Sequence, residues 1–171
     1  MIILRFVRHD DLLTKAILLQ TGGQFAHAEA LTPENTYIGA YAEGGVQERP
    51  RLYDAGRFEE EQFLLLVADS AASAKFYHYL RDPNVLGEKY GFADIVEFVT
   101  HLRTHQGHHV VCSALQALAL RACEYLPRPL PLAAHEISPV ILQLGLLMRP
   151  DVREITSSDP WLIAHIKPTG V

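Results

Sequence analysis

Cysteine is scarce in this chain: its 171 residues hold two, Cys112 and Cys123. They stand eleven positions apart in a stretch that reads as one helix, which separates them by about 16 Å along the axis. A disulfide needs Cα atoms within about 7 Å, so the pair is excluded from bonding while the helix is intact. Two free thiols suit a reducing compartment. Long apolar runs are also missing; none approaches the roughly 20 residues of a membrane-spanning helix. Positive charge is in short supply, with 15 Lys and Arg against 20 Asp and Glu and a net charge of -5. Phosphate binding needs a basic field, so nucleic acid is not expected as a partner. The Gly22-Gly23 and Gly44-Gly45 pairs are not followed by Gly-Lys-Ser/Thr, which removes a phosphate cradle and leaves turns. The opening Met1-Ile-Ile-Leu-Arg-Phe-Val-Arg lacks the apolar core and small-residue cleavage site of a signal peptide, so a cytoplasmic protein is expected. No repeat, low-complexity tract or linker divides the chain, and one domain over residues 1–171 is expected.

What is present is a globular composition, 49% apolar and 20% charged. Residues 2 to 8 read as a strand rich in Ile, Phe and Val. Asp10 or Asp11 can cap a helix over 11 to 20, which Gly22-Gly23 would end. Phe25 to Leu31 and Thr36 to Tyr41 flank a Pro33-Glu34-Asn35 turn in a hairpin pattern. Glu43-Gly44-Gly45 turns the chain into Val46 to Arg49. Residues 60 to 67 read as a buried strand. Ser70 would cap a helix to about Arg81. Further helices are expected over Phe92 to His105, Cys112 to Tyr125, and Ser138-Pro139 to about Leu147. Trp161 to Ile166 reads as a closing strand. The helix from Cys112 is apolar on nearly every face, which is the pattern of a helix buried all round.

The chemistry centres on Cys112. A thiol attacks as the thiolate, and the unpaired amides and dipole at a helix N-terminus stabilise that anion. The same amides can hold an oxyanion. The competing reading is a small core hydrophobe, since free Cys is among the most buried residue types. Cys123, expected mid-helix where no such stabilisation exists, reads as core. A nucleophilic thiol needs a base, and His is the side chain suited to it. His27 sits in Phe25-Ala-His-Ala-Glu-Ala-Leu31, whose small residues leave room for a ligand, and Glu29 shares its strand face by the two-residue period. The alternative is a His on an ordinary strand surface.

Four segments taken in order carry a resemblance: Phe25-Ala-His-Ala-Glu-Ala, Tyr37-Ile-Gly-Ala-Tyr-Ala-Glu-Gly-Gly-Val-Gln-Glu-Arg-Pro50, Lys89-Tyr-Gly-Phe92 and Val110-Val-Cys-Ser-Ala-Leu115. Together they resemble the circularly permuted NlpC-type branch of the papain-like superfamily. That branch includes YiiX-like proteins and small phage-encoded relatives of cell-wall hydrolases. The likeness spans roughly residues 20 to 120. It implies an α+β, papain-like fold in which an antiparallel sheet packs against helices around a central buried Cys-bearing helix. It further implies Cys112 as nucleophile, His27 as general base and Tyr90 near the oxyanion site. Two positions depart from the pattern. Ala114 stands where the family carries Glu. Gly39 stands where the residue that orients the imidazole is expected, leaving Glu43, Glu29 or Gln47 for that task.

The expected function is a cysteine hydrolase cleaving an amide or ester in a peptide, a cell-wall stem or an acyl lipid, with no cofactor. The alternative is a catalytically silent binding or phage accessory module on the same scaffold. His101, His105, His108 and His109 form a local cluster, but Leu102 occupies the Glu position of a His-Glu-x-x-His motif, and a solvated helix end explains the cluster better than zinc.

Overall fold

A computed structural model describes residues 1–88, 111–126 and 136–165 of the chain. Tyr90, the four clustered histidines, the helix expected from Phe92 and the Pro127 to Pro131 loop lie outside the described residues.

Alternating apolar side chains make Ile2–His9 a strand, β1. Asp11 then caps helix α1, Leu12–Thr21, by accepting from the Thr14 amide. Gly22 ends that helix in the left-handed conformation, at φ 62°. Strands β2, His27–Leu31, and β3, Thr36–Tyr41, form the expected hairpin. Asn35, at φ 64°, takes the positive dihedral its turn requires. Strand β4, Gly45–Pro50, follows, and β5, Phe58–Leu66, comes next. Only the second half of β5 is buried. Helix α2, Ser70–Leu80, is capped by the Asp69 carboxylate, which accepts from the Ala72 amide, so the cap falls one residue before the expected Ser70.

Helix α3, Cys112–Ala122, is built from Ala, Leu and Arg, all strong helix formers. Helix α4, Pro139–Leu147, starts as expected with Ser138 as cap and Pro139 in first position. The end of the chain departs from expectation. Val152–Ile155 supplies the last strand, β6, while the apolar run expected as a closing strand lies in a helix, α5, Pro160–His165. Asp159-Pro160 is a helix start: the Asp159 carbonyl accepts from the Ile163 amide, and Pro160 lacks an N–H that the first turn would leave unpaired anyway.

The six strands form one antiparallel sheet in the order β4-β3-β2-β1-β5-β6. Period-two alternation divides it into two faces. Ile2, Leu4, Phe6, Ala28, Ala30, Leu64 and Leu66 pack with Phe76 and Leu80 of α2 and with Leu115 and Leu120 of α3. Each large apolar side chain so buried contributes roughly 1.5–3 kcal/mol. Ile3, Leu31, Tyr37, Phe63 and Leu65 form the opposite face, which Leu162 of α5 covers. A third, small cluster joins Ile17 of α1 to Ala26 and packs Val111 against them. That cluster ties together the entry to β2 and the entry to α3. It brings position 112 beside position 27.

Candidate active site

The small residues of β2 allow close approach of α3. Ala28 and Ala30 are fully buried in the contact between strand and helix. Cys112 opens α3, and its thiol lies 4.0 Å from the carbonyl oxygen of Ala26. The preceding Val111 offers no side-chain cap, and the first backbone bond of the helix is donated by Leu115 to Val111. The amides at the head of α3 are therefore left to an anion.

The thiol and the His27 imidazole are close enough to act on each other's protonation. Burial alone would raise the Cys112 pKa, but the charge and hydrogen bond of His27 outweigh it, and amides of Ala28 and Ser113 add to the effect. The net direction is down from 9.0. Burial would likewise lower His27, yet Cys112 and then Glu29 lift it from 6.5 to about 10. The arrangement favours a thiolate–imidazolium pair.

Among the residues considered for orienting the ring, Glu29 is the one beside it. Glu29 Oε2 stands 3.5 Å from His27 Nε2. That is an ion-pair distance at the limit of hydrogen bonding, and Nε2 has no hydrogen-bond partner among the described residues. Glu29 is 0% exposed and is held from several sides. Arg5 donates to it at 2.7 Å, Tyr41 at 2.8 Å and Tyr53 at 3.0 Å. Arg5 also binds Asp54 at 2.8 Å and Glu61 at 2.9 Å. Burial opposes the charge on Glu29, but His27 and Arg5 hold its pKa below the usual carboxylate value.

Gly39 explains why the carboxylate can come from the His strand itself. A Cβ at Gly39 would stand 3.1 Å from the Cβ of Glu29 and 3.3 Å from the Tyr41 ring. The bare backbone admits both side chains. Among the described residues, neither Glu43 nor Gln47 pairs with the ring. Glu43 is exposed in the β3–β4 turn, where its carbonyl accepts from Arg49 at 2.8 Å and from Gln47 at 3.3 Å. Ala114, in the first turn of α3, is buried.

Sequence reasoning did not single out Arg5, Asp54, Tyr41, Tyr53 or His9. His9 Nε2 lies 3.2 Å from Asp54 Oδ2, and its ring centroid is 6.4 Å from that of His27. The available signal was Arg5, a charge in the middle of an apolar strand. Such a residue needs buried acidic partners. A cleft of about 810 Å³ opens over this network, lined by His27, Tyr41, Glu43, Arg49, Tyr53 and Asp54 among others. Cys112 is 3% exposed and does not line that cleft.

No protein-family model matches the chain, and no curated protein matches it. In fold, it is similar to the crystal structure of the metalloprotein yiiX from Escherichia coli O157:H7, DUF1105. The TM-score is 0.55 at 15% identity, over 90% of this chain and 94% of that one. The fold is thus α+β and YiiX-like. At that identity the likeness extends to the fold alone. The carboxylates nearest His27 do not fit a metal centre, because Arg5 already occupies Glu29 and Asp54. Among the described residues, no group of three or more His, Cys, Asp or Glu side chains is arranged to hold an ion. No helix among them is long and apolar enough to cross a membrane.

Proposed function

We propose that the protein is a cysteine hydrolase of the circularly permuted, papain-like NlpC type, cleaving an amide or ester bond. The observation that carries this reading is the placement of Cys112 at the uncapped head of a buried helix, its thiol 4.0 Å from the carbonyl of Ala26, the residue before His27. The protonation bias between thiol and imidazole agrees with it. The Cys112 thiolate attacks the acyl carbon, and the oxyanion that forms is held by amides at the start of α3. The imidazolium of His27 gives its proton to the leaving amine or alcohol as the acyl–heteroatom bond breaks. His27 then takes a proton from water, which attacks the thioester. The acid is released and the pair is restored. Glu29 holds the ring in place and stabilises its positive charge. The substrates this chemistry suits are a peptide, a cell-wall stem peptide or an acyl ester.

A p-nitrophenyl ester tests the reading. Mass spectrometry of the quenched protein should find the acyl group on Cys112 and none on Cys123, and the adduct should vanish in Cys112→Ala. Hydrolysis that survives in Cys112→Ala would remove the reading. The second reading, a silent binding module, is favoured by one observation: Cys112 does not line the cleft that His27 does. A protein that binds acyl peptides but never forms the thioester would be that module.

A further inference from the structure

The cleft beside His27 contains a guanidinium that the reaction above does not use. Arg49 leaves β4 half-buried, with its Cζ 3.9 Å from the centroid of the Tyr41 ring and 5.2 Å from that of Tyr53. Tyr41 in turn lies 5.2 Å, centroid to centroid, from the His27 ring. One aromatic ring thus separates Arg49 from the imidazole. The guanidinium is fixed before any ligand arrives. Its Nη2 donates to the Glu43 carbonyl at 2.8 Å and its Nε to Gln47 Oε1 at 3.2 Å.

These partners are neutral. Arg51 likewise bonds a neutral group, Asn35, but outside this cleft, and Arg57, which shares the cleft, is exposed and not stacked on its rings. Arg5, Arg8, Arg81 and Arg149 each hold a carboxylate. Arg49 makes no ion pair among the described residues, and Nη1 takes no part in the hydrogen bonds that fix it. Of the acids that share its cleft, Glu43 offers Arg49 its carbonyl and forms no ion pair with it among the described residues, and the other three are engaged elsewhere. Asp54 is bound by Arg5 and His9, Asp10 by Lys15, and Asp11 caps α1. A cation that is stacked, oriented and not ion-paired is pre-organised for a carboxylate, and its ordering cost is already met.

We propose that Arg49 anchors a carboxylate of the substrate. The cleft would then select an acyl compound carrying a free carboxylate close to the bond that is cleaved, such as a peptide with an acidic or C-terminal residue there. This substrate class rests on the hydrolase reading. The carboxylate site itself does not need the thiol to react. A cleft of about 810 Å³ is large enough for a ligand of dipeptide size.

The test pairs N-acetyl-β-alanine with its neutral amide, titrated into the full chain by calorimetry. The acid is expected to bind at least about tenfold tighter, as one charge-assisted hydrogen bond allows. Arg49→Gln should abolish the preference, Arg49→Lys should keep part of it, and Arg153→Gln, a change of equal charge on the exposed β6, should keep all of it. Equal binding of acid and amide by the unaltered chain overturns the proposal. So does a preference that persists in Arg49→Gln. The reactive pair, N-bromoacetyl-β-alanine and its amide, separates the two readings. If Cys112 is inert to both while the calorimetric preference stands, the hydrolase reading fails and the carboxylate site survives. If Cys112 reacts fast with both at equal rates and no preference is measured, the reverse holds.

Discussion

The two ends of helix α3 carry the same side chain in opposite chemical states. Cys112 and Cys123 are both buried, at 3% and 4% exposure. The Cys112 pKa is lowered and the Cys123 pKa is raised. At the head of the helix, burial is opposed by an imidazolium and by amides that point at the sulfur. At the tail, burial pushes the thiol up, and the sulfur lies 3.2 Å from the Leu120 carbonyl, to which the thiol donates. The directions differ because the imidazole beside Cys112 outweighs burial, whereas at Cys123 burial outweighs the nearby amides and the Lys75 charge that would lower it. Burial alone therefore says little about a cysteine. What decides is which backbone groups and which charge it is buried against.

Removing each sulfur in turn should separate the two ends most widely. Cys112→Ala is expected to lower ester hydrolysis roughly 10³-fold or more, and Cys123→Ala to leave it within about twofold. Comparable losses would mean that the contrast has no bearing on function.

The pH profile sharpens the same contrast. His27, raised to about 10, stays protonated until pH climbs through that value, so the stability its charge adds is complete below 6.5 and lost near 10. Cys112, with its pKa depressed, contributes above 9.0 and loses its contribution as pH falls through the lowered value. Hydrolysis should plateau through neutral pH, with an acid limb below the ordinary thiol range and an alkaline limb near pH 10. A rate that only rises toward the ordinary thiol value would contradict the pairing.

Glu29→Gln tests the support beneath the imidazole. It removes the charge but keeps the shape, and kcat is expected to fall about 10²-fold through misplacement of the ring. The alkaline limb should move to lower pH, because Glu29 helps raise the His27 pKa. A lower kcat with an unmoved limb would make Glu29 a merely structural residue. Gly39→Ala should have the mildest effect. Its Cβ would meet Glu29 at 3.1 Å, and a crowded site of this kind costs about 1–3 kcal/mol in a denaturant titration.

Much of the framework was legible because periodicity reports burial. The alternation of Ile2 to Val7, the Asp11 cap, the Ser138-Pro139 start and the all-round apolar α3 each follow a local rule. The closing strand was misread because a six-residue apolar run fits a strand or a buried helix equally, and the Asp159-Pro160 start tips it to helix. Within the site, residue type and position made His27 and Cys112 candidates, and the family resemblance was what paired them. The carboxylate could not be assigned from spacing. Glu29 is beside the ring because β1 brings Arg5 opposite it, and Tyr41 and Tyr53 close around it. Those partners lie 12 and 24 residues away in the chain, beyond any local pattern.

The most direct measurement is the rate of iodoacetamide alkylation at each cysteine against pH, read by peptide mass spectrometry in the unaltered chain and in His27→Ala. The account predicts that Cys112 titrates well below the ordinary thiol value and Cys123 above it, and that His27→Ala moves Cys112 upward and leaves Cys123 in place. Two cysteines titrating together, or a Cys112 curve indifferent to His27, would contradict it.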